Sequence, residues 1–342
     1  LIYYIDKNEK EKQMGRYIFK RILMMIPVLI GVSLIIFGLQ FITPGDPARL
    51  VLGDAATDEQ IAQFHSQYDL DKPFLVQYGK YIWGIVSRGD FGNSYRTGRN
   101  ITAEVIQRWP TTFSLAILTT TISTVIGLSL GIVSAKHRNT WIDSASRIFG
   151  MLGVSLPSFW FALLLIMLFS VKLRWLPVSG LYGPKYWVLP AMSLGILGAA
   201  GLLRISRSSV LDNMRQDFVR TARAKGQTEK VITRHHILRN AMIPIVTAIG
   251  ARFAHCMGGA MVLEQVFAIS GLGKLMVDSI SSRDYPQLRA SVLLVAASVS
   301  IVNLLVDIAY AYIDPRVKSR FAKSSAKKGA KALSARKGGA TK

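Results

Sequence analysis

The amino-acid sequence predicts an all-α polytopic membrane protein with six spanning helices and a small helical insertion on one face. Three observations predict it: the lengths of the apolar runs, the placement of positive charge between them, and the turn and capping residues that punctuate the rest. A bilayer core about 30 Å thick needs about 20 apolar residues in helical form. Residues 22–42, 111–135, 148–171 and 186–203 meet or approach that length without a charged side chain. Residues 240–263 are interrupted only by Arg252, and residues 290–313 only by Asp307. Apolar residues make up 50% of the chain although its formal net charge is +22.

In chain order, residues 1–21 form a polar, basic N-terminal segment, within which Met14 is read as the start, a point for N-terminal sequencing. Residues 22–42 are the first span. The basic approach resembles a secretory signal, but the run is longer than a signal core and lacks a small-residue cleavage site. Residues 43–110 form the insertion, too long for a hairpin loop. Thr57-Asp58-Glu59-Gln60 is a capping box that opens a helix to about Tyr68. A second helix starts near Pro73 and sets Phe74, Tyr78, Tyr81, Ile82 and Ile85 on one face. Gly89-Asp90-Phe91-Gly92 turns the chain back. The remaining core, residues 111–313, holds spans at 111–135, 148–171, 186–203, 241–263 and 290–313. Pro27, Pro157, Pro190 and Pro244 lie in or at the ends of spans and set kinks or entry angles.

Six spans put both ends of the chain on one side. Of the 42 Lys and Arg, 28 fall on that side and 12 on the other, which makes it the cytoplasmic side. The charge therefore marks topology and attraction to anionic lipid, and nucleic acid is not an expected partner. The tail, residues 314–342, is rich in Lys, Ala, Ser and Gly and reads as disordered and lipid-attracted. The single cysteine, Cys256, lies in the fifth span and excludes an intrachain disulfide.

The mechanistic signal is strongest in residues 217–240, between the fourth and fifth spans. Asp217 is a candidate N-cap for a short helix through Lys225, with Gly226 as a left-handed C-cap, and Thr228 caps a second helix to about Asn240. The small side chains of Ala222 and Ala224 suit a helix seated in the groove of a soluble partner. The competing reading is a tight helical hairpin with Arg234 and Arg239 on lipid headgroups.

Val219-Arg220-Thr221-Ala222-Arg223-Ala224-Lys225-Gly226, followed by His236-Ile237-Leu238-Arg239-Asn240-Ala241, resembles the EAA loop of ABC importer permeases of the dipeptide, oligopeptide and nickel branch. Thr43-Pro44-Gly45-Asp46-Pro47, Gly89-Asp90-Phe91-Gly92, Ser155-Leu156-Pro157-Ser158-Phe159-Trp160, Glu264 with Val266-Phe267, Arg283-Asp284-Tyr285-Pro286 and Asp314-Pro315-Arg316 also resemble that branch. The resemblance implies a type I importer permease fold and the first permease subunit of a pair. It further implies a second homologous permease, two cytoplasmic ATPases and an extracytoplasmic solute-binding protein in a bacterial inner membrane. Arg220, Thr221, Ala222, Arg223, Ala224, Lys225 and Gly226 would then form the ATPase-coupling loop. Arg220 stands where the wider EAA pattern has glutamate, and Ser270 replaces the proline of the branch's Phe-x-x-Pro-Gly-Leu-Gly stretch.

No phosphate-binding loop is present: Gly273-Lys274 is the nearest approach, with Ala268 and Leu275 at positions that need glycine and a hydroxyl. No cofactor is expected in this chain, ATP and magnesium belonging to partner ATPases, and no zinc-ligand spacing occurs. Intramembrane ionisable groups are functional candidates by default. Arg252 and His255, one turn apart among small residues, are candidates for the pathway; the alternative pairs Arg252 with Asp307 or Glu264, or lets it snorkel. Asp307, with Asn303 and Tyr310, reads as a structural hydrogen-bond network. The function expected is passage of peptides by alternating access. Alternatives are a self-sufficient secondary transporter, which needs repeated halves and acidic coupling residues not visible here, or the same architecture importing nickel or another small solute. An intramembrane enzyme would need a nucleophile, base or metal set that is not recognisable.

Overall fold

The computed structural model describes residues 2–313, with side chains from 14 to 310. Among these residues the chain is mostly helical and forms no strand. The basic tail, residues 314–342, lies outside the described residues.

Among the described residues, five helices are long and apolar enough to cross a membrane: α1 (Ile2–Ile42), α5 (Ile101–Lys136), α8 (Lys185–Met214), α11 (Leu238–Val266) and α13 (Tyr285–Ile313). The expectation of one continuous span at 148–171 is corrected: the stretch is broken, and it makes a sixth crossing only if the bent pair is counted as one. Helix α6 (Trp141–Ser155) and helix α7 (Ser158–Leu165), with its π-helical continuation Ile166–Lys172, meet at 106°. The cause is local: Pro157 lacks an N–H, and the residue before a proline is forced out of the helical region, here Leu156 at ψ 130°. Elsewhere the helices overrun their apolar stretches. Helix α5 begins ten residues before 111 and α8 continues past 203 to Met214. Apolarity records the part inside the bilayer, not where the hydrogen-bond ladder stops.

Short helices build the insertion: α2 (Pro47–Leu52), α3 (Asp58–Gln67) and α4 (Phe74–Arg88). The reciprocal capping box of α3 is formed, with Thr57 accepting from the Gln60 amide at 3.3 Å and Gln60 accepting from the Thr57 amide at 2.9 Å. Helix α2 was not expected; Asp46 caps it by accepting from the Ala48 amide at 2.9 Å. Ala48, Phe64 and Tyr95 form its small core. Buried Asp284 holds the insertion to the turn ahead of α13, accepting from the Ser94 hydroxyl and from the Tyr95 amide. Helix α12 (Leu272–Ser282), also unexpected, precedes that turn.

Helix α8 is the most buried of the long helices and packs most extensively on α5. Small residues let their backbones approach. A Cβ at Gly127 would come within 2.7 Å of the Ala199 carbonyl, and one at Gly131 within 2.6 Å of Ser206 Cβ. The Ser123 hydroxyl closes the seam by donating to the Gly195 carbonyl at 2.9 Å.

Candidate functional site: a seated loop and a cavity

The loop between α8 and α11 folds into helix α9 (Asp217–Ala224), a tight turn, and helix α10 (Glu229–Val231). Gln216 occupies the N-cap of α9, so Asp217 is its first helical residue rather than its cap. The end of α9 is a Schellman closure: the Gln227 amide reaches the Ala222 carbonyl at 3.2 Å and the Gly226 amide reaches the Arg223 carbonyl at 2.9 Å. This requires the positive φ of Gly226, 74°. Arg223 then clamps the turn through two bonds to Glu229, at 2.6 and 3.2 Å. Thr228 stands at the N-cap of α10 without a side-chain bond, and the helix does not stop near Asn240. It passes through a π-helical turn, Ile232–Ile237, directly into α11.

That π turn explains how the loop is seated. Ile232 and Ile237, five residues apart, are both fully buried, with Val219, Ala222, Ala135 and Val210. Ala222 therefore faces the chain's own core at 5% exposure, which corrects the expectation that it faces a partner. The outward face of α9 carries Arg220, Thr221, Arg223 and Ala224, with Lys225 and Gly226 beyond its end. It also carries Phe218, 37% exposed, which the sequence reading missed. The Val219 and Ala222 spacing of three marks the inner face, and Phe218 with Thr221 and Lys225 lies off it.

Helices α6, α8 and α11 together wall a cavity of about 640 Å³. Small residues and larger aliphatic ones share its lining, the small ones including Gly153, Gly198, Gly201, Ala248 and Gly259. Arg252 and His255 both line it, and no acidic residue does. Arg252 pairs with neither Asp307 nor Glu264. Its Nη2 donates to the Leu194 carbonyl at 2.7 Å, and its guanidinium lies across Gly198, where a Cβ would come within 2.2 Å of Nε. The cation is thus fixed on the wall of the cavity rather than neutralised.

The other intramembrane ionisable groups lie elsewhere. Fully buried Glu264 accepts from the Thr112 hydroxyl at 2.5 Å and from the Lys274 amide at 2.8 Å, and so joins α5, α11 and the start of α12. Asp307 meets Arg21 of α1 at 2.9 Å; Asn303 is not its partner. Tyr310 bonds Thr247 and ties α13 to α11. An unforeseen pair joins α8 to α6: fully buried Asp143 accepts from Nε and Nη2 of Arg207 at 2.7 and 2.9 Å, and from the Ser134 hydroxyl and the Asn139 amide.

Comparison with known proteins places this architecture. The family described as binding-protein-dependent transport system inner membrane component matches residues 127–319, and its N-terminal membrane-component family matches residues 14–116. The glutathione transport system permease proteins GsiC of Salmonella paratyphi A and of Escherichia coli are each 40% identical over 305 residues, covering 89% of this chain and 99% of theirs. Two inward-facing crystal forms of the MetNI methionine ABC transporter share the fold. One has a TM-score of 0.50 at 18% identity, covering 61% of this chain and 96% of that one; the other has a TM-score of 0.51 at 17% identity, covering 62% and 96%. The chain belongs to the family of inner membrane components of binding-protein-dependent transport systems and is a permease subunit of an ABC importer.

Proposed function

We propose that this permease forms half of the translocation pathway for peptides and is driven by ATPases docked on α9. The observation that carries the reading is the division of α9 into two faces: Val219 and Ala222 root it in the membrane core, while Phe218, Arg220, Thr221 and Lys225 remain outside. A rooted helix with an exposed aromatic residue and cations transmits the movement of a soluble partner to α8 and α11. Both ends of the chain then lie in the cytoplasm, with α2–α4 on the outer side, as the distribution of Lys and Arg requires. A second permease of the same family completes the cavity, and a solute-binding protein delivers cargo to the outer face. Closure of the ATPases draws the two docking loops together, and the halves rock from inward-open to outward-open. The likeness to glutathione permeases favours small peptides over nickel. Arg252, unopposed in the cavity, suits cargo with a carboxylate.

The test is purification with co-expressed partner subunits. Phe218→Asp and Arg220→Glu are expected to release the ATPases or abolish transport-stimulated hydrolysis while the chain remains inserted. A chain that transports alone and ignores both substitutions overturns the reading in favour of a secondary transporter.

A further inference from the structure

Arg289, in the second turn of α13, is only 7% exposed. Its guanidinium lies 4.5 Å from the ring of Phe37 on α1 and 5.1 Å from that of Tyr81 on α4. Nε of Arg289 and the hydroxyl of Tyr81 are both buried, and neither has a hydrogen-bond partner among the described residues. Both side chains line one cavity of about 230 Å³ on the side of the molecule that carries α4. The two carboxylates at its rim are committed elsewhere. Asp69 is bound by Lys72 and Lys80, and Asp90 by the Gly92 amide, Asn100 and Thr102. Arg88 adds a cation to the lining. Two donors, one of them a guanidinium, call for a ligand that accepts hydrogen bonds and carries negative charge.

An apolar groove of about 330 Å³ runs between the same three helices and shares Phe91 with the polar cavity. It is lined by Ile30 of α1, Ile82 and Ile85 of α4, and Leu293 and Ala297 of α13. Leu75, Trp83 and Val86 of α4 are exposed, as befits an amphipathic helix lying in the membrane interface. The geometry points to a site for an anionic phospholipid, its phosphate on Arg289 and Tyr81 and one acyl chain in the groove. A charged headgroup pocket joined to an apolar channel favours a lipid over the acidic side chain of a docking protein, which would leave the groove unused.

Native mass spectrometry tests the site on the chain purified in mild detergent with whatever subunits accompany it, titrated with phosphatidylglycerol or with inorganic phosphate. Phosphatidylglycerol is expected to be retained, and retention is expected to fall about tenfold in Arg289→Gln, the loss of roughly one charge-assisted hydrogen bond. Tyr81→Phe, which keeps the ring against the guanidinium, is expected to weaken retention in the same direction and carries the test if the arginine variant fails to assemble. Ile85→Trp, which fills the groove, should weaken lipid retention without affecting inorganic phosphate. Retention that ignores all three substitutions overturns the site. Phosphate binding without lipid retention, or cross-linking of an acidic protein side chain at Tyr81 in place of lipid, overturns the choice of ligand.

Discussion

At the scale of single residues, Arg207 of α8 and Arg252 of α11 are held in opposite ways. Arg207 is matched by a buried carboxylate, so removing it leaves Asp143 with only Arg147, at 4.0 Å, as a charged partner, a loss of about 3 kcal/mol by the behaviour of buried pairs. Arg207→Met is therefore expected to lower the unfolding temperature in detergent sharply, and Arg207→Met with Asp143→Leu to recover most of the loss. A double variant as unstable as the single would show that the pair contributes more than mutual neutralisation. Arg252 is instead held by one carbonyl and left facing a cavity without acidic residues. Arg252→Gln should retain assembly and ATPase coupling but lower uptake of a peptide with a free C-terminal carboxylate more than uptake of its amidated form. Equal uptake of both forms by wild type and variant would remove Arg252 from the pathway. The sequence exposed Arg252 as a candidate because an intramembrane charge is costly. It could not reveal that Leu194, far away in sequence, supplies the restraining carbonyl.

At the scale of elements, what was legible followed from local chemistry. The Thr57 capping box and the Gly226 turn are decided by a few neighbouring residues, and both form as read. The orientation of Ala222 is decided by where the core lies, and a small side chain suits either face of α9. The π turn at Ile232–Ile237 was invisible because its buried residues recur at five, a spacing absent from helical and strand templates. It also makes a prediction. Deleting His235 should convert the turn to α-helix and rotate α9 about 100° relative to α11, the angle of one residue in a helix. The expected result is normal membrane insertion with loss of transport-stimulated ATP hydrolysis; retained coupling would show that the loop's seat does not depend on the turn. In the outer insertion, hydrogen bonds from Lys72 and Lys80 hold the Asp69 carboxyl below the ordinary carboxylate range. Because the folded value is depressed, the clamp contributes fully above the ordinary range and is lost as pH falls through the lower folded value. Asp69 is partly exposed and the contribution small. Asp69→Asn should flatten the acid side of the pH–stability profile, and an unchanged slope would assign that side to other carboxylates.

At the scale of the whole molecule, α8 is buried on several sides while α1 and α13 lie at the periphery, so α8 and α11 are the elements able to transmit loop movement to the cavity. The apolar runs marked the five long helices and the stretch that holds the bent pair. They did not announce the 106° bend between α6 and α7, because Pro157 interrupts a helix without fixing where the next segment points. The α9 loop lies at one end of α11, and Ala248 and Val262 line the cavity 14 residues apart along that helix. At 1.5 Å per residue they are about 21 Å apart along its axis. The only cysteine, Cys256, is fully buried, so a water-soluble thiol reagent should report on introduced cysteines with little background. In the assembled importer, Ala248→Cys should label readily without nucleotide and become protected when the ATPases are locked closed. Val262→Cys should do the reverse. That reciprocal change is the signature of a cavity that alternates between the two faces. Equal labelling of both positions in every nucleotide state would mean that the wall of α6, α8 and α11 is a static surface, and the pathway would have to be sought at another face of the bundle.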